Sequence, residues 1–546
     1  MAQTLRLALR PGLQHGWPAL PVLLVLLPLG PGLWWALAPA AGPQAWQALW
    51  ADSQLPQAVL ASAVSALLGT ALACVLAAGI TRWHFPGSAW VRIQARLPAL
   101  LAMPHTAFAV GLFFLLSPSG WLTRPLAAAL GWESPPNWVT VQDPRGLALA
   151  VALGLKESWF LLWATLGVLG ERDTAQQLLA ARTLGYSPGR AWRLVVWPQV
   201  LPRLKWPVLA ALAYGWSVVD MAWVLGPNTP PTLAVLVWQW LSDPDPAAQA
   251  KGAAAAVLLL GLFASSLAVL LALLAVYRRG PRYPSGFRGR ATSVFVSRWA
   301  TWLPVGVLGS GGWVVWVLAV WSVAGAWFYP ALWPSSLTLN TWAQADMAPF
   351  LNTLTLAAAS ALCATAVAVI WLEWGPSRYT AWLYLPLVLP VLPLAAGQYH
   401  VLLKAELDGT WTAVVWAHLL WVLPYTVLML AGPYQGFDKR LALTARVLGL
   451  SRFAVCWRIK WPLLLRPLLA AMAVGFAVSV AQFLPTLFAG GGRWATVTTE
   501  AVALSAGGNR RVLAVHALLQ VLLPMLVFGL ATALPWALAR HRKDWR

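Results

Sequence analysis

Asp220 stands in an apolar run three residues after Ser217, and Gln482 stands three residues after Ser479 in another. Ionisable or amide side chains in such runs are costly to bury and commonly serve a solute pathway or a gate. Lys156 and Glu157 occupy a third run. They are adjacent, so they face different directions on a helix, and they are expected near its outer end, paired with neighbours. His105 and Thr106 follow Pro104; Gln398, Tyr399 and His400 follow Gly397. Pro and Gly at these places can unwind a helix and bare its carbonyls toward a solute. The plainer role for all of these residues is helix packing or a hydrogen bond to a neighbouring helix. The chemistry on offer is binding and gating. No Ser/His/Asp or paired-carboxylate arrangement is visible, so no catalytic residue is assigned. Cys74, Cys363 and Cys456 have no near partner and no metal-type spacing, so neither a disulfide nor a metal site is expected, and no cofactor.

The elements that must position these residues are membrane helices. The 546 residues are 60% hydrophobic and only 10% charged, with a mean hydropathy of +0.68, too little charge for the surface of a soluble core. Apolar runs of about 20 residues recur, each long enough to span a bilayer. They are continuous rather than alternating, which excludes a β-barrel. The fold class expected is an all-α polytopic membrane protein of about twelve spans, near 17–38, 55–80, 97–117, 147–169, 204–226, 252–277, 301–327, 350–372, 380–403, 411–432, 464–489 and 512–537. Arg6 and Arg10 before the first run resemble a signal peptide, but the run is long for one, and an uncleaved first span is expected. Most of the 38 tryptophans suit the membrane interface.

With the N-terminus inside, alternate loops hold 29 of the 37 Lys and Arg, the opposite loops hold seven, and Lys156 lies in a span. That bias puts both termini in the cytoplasm. It also accounts for the net charge of +21 without nucleic acid; membrane lipid is the expected anionic neighbour.

Two of the basic loops match. Leu179-Ala180-Ala181-Arg182-Thr183-Leu184-Gly185 recurs 264 residues later as Leu443-Thr444-Ala445-Arg446-Val447-Leu448-Gly449. Trp197-Pro198 and Trp461-Pro462 follow the two glycines after the same eleven-residue gap. Pro104 and Gly111 match Pro390 and Gly397 at equal spacing, and Ser217/Asp220 match Ser479/Gln482. The chain therefore reads as a duplication: a first repeat over 1–277, a cytoplasmic linker over 278–300 and a second repeat over 301–546. Each repeat has six spans, so the two share one orientation and a pathway between them follows. In each loop a helix is expected to end at Gly185 or Gly449. Ser187 or Ser451 should cap a second helix, which in the first loop ends near Pro198.

These loops, 171–203 and 435–466, resemble the cytoplasmic "EAA" loops of binding-protein-dependent ABC importer permeases. That pattern is Glu-Ala-Ala, three residues, Gly, nine residues, Ile-x-Leu-Pro. Ala180, Ala181, Gly185, Val195 and Pro198 fit it, as do Ala445, Gly449, Ile459 and Pro462. The leading Glu is replaced by Leu179 and Leu443, and the Leu before each Pro by Trp197 and Trp461. The chain is similar to the fused double permeases of the iron(III), thiamine and sulfate group. The resemblance implies the type I importer permease fold in a bacterial inner membrane. It implies that Ala180, Ala181, Arg182, Gly185, Pro198, Ala445, Arg446, Gly449 and Pro462 belong to loops docking on two cytoplasmic ATPase subunits. It also implies a periplasmic substrate-binding protein and alternating access. No Gly-Lys dipeptide occurs, so there is no Walker A loop, and ATP hydrolysis falls to a separate chain.

The main alternative is a secondary transporter of the major facilitator type, which also has six-plus-six parallel spans. That class carries a Gly-x-x-x-Asp-Arg signature between its second and third spans, and neither half has one. A membrane enzyme would need clustered Asp and His at one interface, and the sequence shows none.

Overall fold

A computed structural model describes residues 19–170, 173–279 and 294–543. Most of the expected linker 278–300 lies outside the described residues, as do Arg6 and Arg10.

The protein is an all-α polytopic membrane protein. The first half contains α1 (Leu20–Ala41), α2 (Leu55–His84), α3 (Ser88–Ala102), α4 (His105–Leu116), α5 (Leu147–Gly170), α6 (Thr174–Thr183), α7 (Trp197–Ser217), α8 (Asp220–Leu225) and α9 (Pro246–Tyr277). The second contains α10 (Val294–Val323), α11 (Ala348–Trp374), α12 (Ser377–Val388), α13 (Val391–Lys404), α14 (Trp411–Gln435), α15 (Lys439–Val447), α16 (Arg452–Leu463), α17 (Leu465–Val480) and α18 (Arg510–Lys543). Among the described residues eight helices are long and apolar enough to cross a membrane, or eleven if each bent pair is one span. Twelve spans were expected. The difference is the fifth, where α7 carries Arg203 and Lys205 and gives way at Val218 to the short α8.

The breaks fall where the sequence pairs up. The third and ninth spans are each bent, α3 to α4 by 98° and α12 to α13 by 104°. Pro104 and Pro390 sit at the two bends, each the residue before the second helix begins. Proline there donates no backbone hydrogen bond and forces its predecessor out of the helical region. Met103 and Leu389 are accordingly extended. The fifth and eleventh spans also break together: Ser217 and Ser479 lie at the ends of α7 and α17, and Asp220 and Gln482 just beyond.

The opening helix of each half packs on the other half. α1 crosses α13, and α10 crosses α4 and α2. Both crossings use the matched glycines. A Cβ on Gly111 would stand 2.5 Å from Val314 Cγ1 on α10. At the other crossing, a Cβ on Gly32 of α1 would stand 2.3 Å from the carbonyl oxygen of Gly397. Small residues let membrane helices approach to backbone contact, since lipid supplies no hydrophobic drive between them. Gly111 and Gly397 are thus packing positions.

Candidate functional site: two helix-turn loops and a buried polar cluster

The two basic loops have the same backbone. α6 and α15 end in Gly185 and Gly449, with φ of +86° and +89°. The Gly185 N–H donates to the Arg182 carbonyl at 2.9 Å, and the Tyr186 N–H to Ala181 at 3.2 Å. The second loop repeats both bonds, Gly449 to Arg446 at 3.0 Å and Leu450 to Ala445 at 3.1 Å. This is the Schellman arrangement, in which a left-handed residue lets two N–H groups turn back onto the last carbonyls of the helix. It explains the recurring motif residue by residue. Ala181 and Ala445 supply one acceptor and face the body of the protein, Ala445 buried and Ala181 half-buried, while Arg182 and Arg446 supply the other acceptor and expose their side chains.

Downstream, each loop passes through a short helix and then one π-helical segment, Trp192–Val196 or Cys456–Lys460. The Ser451 hydroxyl caps its helix by accepting from the Ala454 N–H at 3.1 Å. Ser187 has the same backbone conformation but makes no side-chain capping bond. Nor does the first loop end at Pro198. The π segment runs directly into α7, with Pro198 in its first turn, where a missing N–H costs least. Pro462 likewise opens its turn, but there the chain bends by 80° between α16 and α17.

Both loop tips are exposed and apolar. Leu179 and Leu443, at the places of the absent Glu, are 63% and 62% exposed. Leu184 and Leu448, just before the glycines, are 65% and 76% exposed. Ala180 is exposed, as are Pro198 and Pro462.

The second site is a buried polar cluster contributed by four elements of the first half. The Thr106 hydroxyl, in the first turn of α4, donates to Asp220 Oδ2 at 2.7 Å. The Tyr214 hydroxyl on α7 donates to Asp220 Oδ1 at 3.3 Å. His105 Nε2 lies 2.9 Å from Glu157 Oε1, and its ring rests 4.5 Å from that of Tyr214. Tyr425 of α14 is close enough to interact electrostatically with both Tyr214 and Glu157, so the cluster adjoins the second half. Asp220 and Glu157 are both buried, whereas the His105 side chain keeps 30% of its surface exposed.

Tyr214 was not singled out in the sequence, and Glu157 was expected near the outer end of its span. Glu157 lies in the middle of α5 rather than near its outer end, and it pairs with a ring across the third-span break. Tyr214 reaches Asp220 only because the helix stops at Ser217. Lys156 turns the other way: it is buried, donates to the Leu100 carbonyl at 3.2 Å and lies over the Trp159 ring at 4.8 Å. That carbonyl belongs to the last turn of α3 and also accepts from the Met103 N–H at 3.3 Å, while Pro104, four residues on, has no N–H to offer it.

The second half does not repeat the cluster. Gln482 is half-buried; its carbonyl accepts from the Thr486 hydroxyl at 2.8 Å, and no described hydrogen bond joins it to Asp220. Ser479 and Thr486 instead bracket the imidazole of His418, at 2.7 and 2.9 Å. Gln398 is buried and donates to the Ala417 carbonyl at 3.2 Å; the Tyr399 ring packs 5.5 Å from Phe488, and His400 Nδ1 lies 2.9 Å from the Ala396 carbonyl one turn back. Ser217 accepts from the Val391 N–H at 3.0 Å and so ties the fifth span to the start of α13.

No family profile matches the chain. Among characterised proteins, the chain is 41% identical over 511 residues to the inner membrane ABC transporter permease protein YnjC of Escherichia coli, covering 93% of this chain and 94% of that one. It is 28% identical over 503 residues to the E. coli thiamine transport system permease protein ThiP, covering 85% of each. It is also 28% identical over 185 residues to the molybdenum transport system permease protein ModB of Mycobacterium bovis, covering 31% of this chain. These likenesses set aside the major facilitator alternative. The chain belongs to the permease components of ABC transporters, a transport subunit whose ATP hydrolysis resides in a separate chain.

Proposed function

We propose that residues 171–203 and 435–466 are the two coupling loops of an inner-membrane importer, each seated in a groove of one of two cytoplasmic ATPase subunits. Both termini lie in the cytoplasm, and a periplasmic substrate-binding protein delivers solute to the opposite face. The repeats 1–277 and 301–546, joined by the linker 278–300, rock against each other to give alternating access. One observation carries this reading: two exposed loops 264 residues apart share one left-handed glycine turn and one hydrogen-bond pattern. Ordinary solvated loops have no reason to keep that registry. The docking contact is apolar as well as basic, with the Leu179/Leu184 and Leu443/Leu448 pairs entering the groove beside Arg182 and Arg446.

Asp220, Thr106 and His105, with Glu157 and Tyr214, form the polar gate on the first-half side of the pathway, and Gln482 faces it from the second half. Gln398, Tyr399 and His400 line the ninth-span side. Two carboxylates that, among the described residues, have no lysine or arginine bonded to them suit a cationic solute. Of the solutes named for the relatives, thiamine is a cation, whereas molybdenum travels in water as an oxyanion; the cluster favours the former. Copurification of the permease with its ATPase tests the coupling assignment. Replacing Gly185 and Gly449 by valine should abolish the complex, and transport that persists without any ATPase would end this reading.

A further inference from the structure

On the face opposite the two basic loops, a recess of about 450 Å³ opens between the halves. Its position follows from chain direction: residues 117–146 precede α5, and Arg510 begins α18, so both lie at the ends of helices away from α6 and α15. The first half supplies Phe113, Ser117, Ser119, Trp138 and Gln142, and the second half supplies Arg510.

Its polar groups are incompletely used. Arg510 donates to the Ser119 hydroxyl at 3.1 Å and otherwise faces rings, 5.9 Å from Phe113 and 5.8 Å from Trp321. Among the described residues no carboxylate pairs with it. A second guanidinium stands close by. Arg124 is buried, donates to the Phe328 carbonyl at 3.1 Å and to that of Ala331, and has no carboxylate partner among the described residues either. Burial, and then the charge on Arg510, hold Arg124 below the usual arginine range. The Ser117 hydroxyl is the second sign of a ligand. Ser117 is 3% exposed, lines the recess, and its oxygen has no hydrogen-bond partner. Gln142 holds a φ of +56°, a conformation that non-glycine residues take up at a cost and that clusters at binding sites.

We propose that this recess binds an oxyanion carried on an apolar stem, a phosphate monoester or diester, with its oxygens between the Arg510 fork and the Ser117 and Ser119 hydroxyls and its stem against Phe113 and Trp138. A guanidinium matches the planar spacing of phosphate oxygens. The net repulsion between Arg124 and Arg510 falls when an anion enters. Such a ligand touches both halves, so its binding is coupled to their relative position.

The ligand has two sources, a free phosphate compound or the headgroup of an anionic phospholipid, and the test separates them. The full chain is purified in detergent, and its thermal unfolding is followed in sodium phosphate against sodium chloride of equal ionic strength. Its unfolding is also compared in nanodiscs of phosphatidylglycerol and of phosphatidylcholine. A rise in phosphate identifies the free anion; a rise confined to phosphatidylglycerol identifies the lipid. In either case Arg510→Gln should weaken the apparent affinity at least tenfold and Ser117→Ala by a few-fold, with Arg510→Lys in between. Ser117→Ala removes a hydroxyl that bonds nothing in the protein, so it leaves the unliganded stability unchanged and keeps the test sound should Arg510→Gln not fold. No stabilisation from either source, or stabilisation undiminished in the folded variants, would overturn the proposal.

Discussion

Replacing Leu443 and Leu448 by alanine isolates docking from folding. Both side chains project from the second loop, 62% and 76% exposed, and so contribute little to the stability of the chain that carries them. Complete burial of a leucine side chain is worth about 2 kcal/mol by transfer data. Scaled by the exposed fractions, about 1.3 kcal/mol per leucine remains to be gained in a partner's groove. Alanine would keep a part of that, so each truncation should cost about 1 kcal/mol of binding, close to fivefold in affinity, and the pair about 2 kcal/mol, close to thirtyfold. The assay is titration of the ATPase subunit onto the permease in nanodiscs, with stimulated ATP hydrolysis as a second readout. The thermal unfolding of the permease alone should be unchanged. Unaltered ATPase affinity in the double variant would refute the apolar docking contact. A large loss of permease stability would refute the premise that these leucines wait for a partner.

Four further outcomes are expected. Gly449→Ala meets no atom within 4 Å but must hold a φ of +89°, so it should cost roughly 1 kcal/mol locally, seen as faster amide exchange at Leu450 with global unfolding little changed. Gly32→Ala drives a methyl into the Gly397 backbone and should destabilise by about 1–3 kcal/mol in thermal unfolding, whereas Gly312→Ala, facing open space, should be silent. Asp220→Asn keeps the size of the side chain and removes its charge; uptake of a cationic solute into proteoliposomes carrying the complete transporter should fall at least tenfold, and Tyr214→Phe, which removes one donor to the same carboxylate, should lower it less. Lys156→Met removes one of the two donors to the Leu100 carbonyl, which keeps the Met103 N–H, and should cost about 0.5–1.5 kcal/mol of stability, with transport per folded molecule retained.

Much of the architecture was legible in the residues because the signals concerned are local. Twenty-residue apolar runs announce helices whatever surrounds them. Proline marks places where a helix can unwind, and the chain does bend by 98° and 104° at Pro104 and Pro390, although Pro202, Pro207 and Pro424 lie inside helices that continue past them. The loop glycines could be read as left-handed because a helix followed by a turn needs that conformation. Where a local signal depended on geometry two residues away, it misled. Pro198 looked like a terminus, but the π segment ahead of it carries the helix straight into α7. Ser187 looked like a cap and makes no capping bond, although Ser451 does.

The candidate site was legible only as an inventory. Asp220, His105 and Thr106 stood out as polar groups among apolar ones, and Glu157 was visible but assigned to the wrong depth. Nothing in the spacing could join residues 52 or 114 positions apart, as His105 joins Glu157 and Thr106 joins Asp220. Nor could it reveal that the duplication fails at the buried polar cluster, where the first half gathers carboxylates and the second gathers His418, Ser479 and Thr486.

The sequence by itself determined an all-α membrane protein, its internal matches, its two glycine turns and the prolines at two of its helix breaks, because hydrophobicity and backbone preference act over a few residues. Only the tertiary structure decided which broken ends meet, which half each opening helix packs on, and which polar groups share one buried space. Those outcomes depend on the close approach of helices at Gly32, Gly111 and Gly397, and on the cost of leaving a buried polar group unpaired, which draws Asp220, Thr106, Glu157 and His105 together from distant parts of the chain.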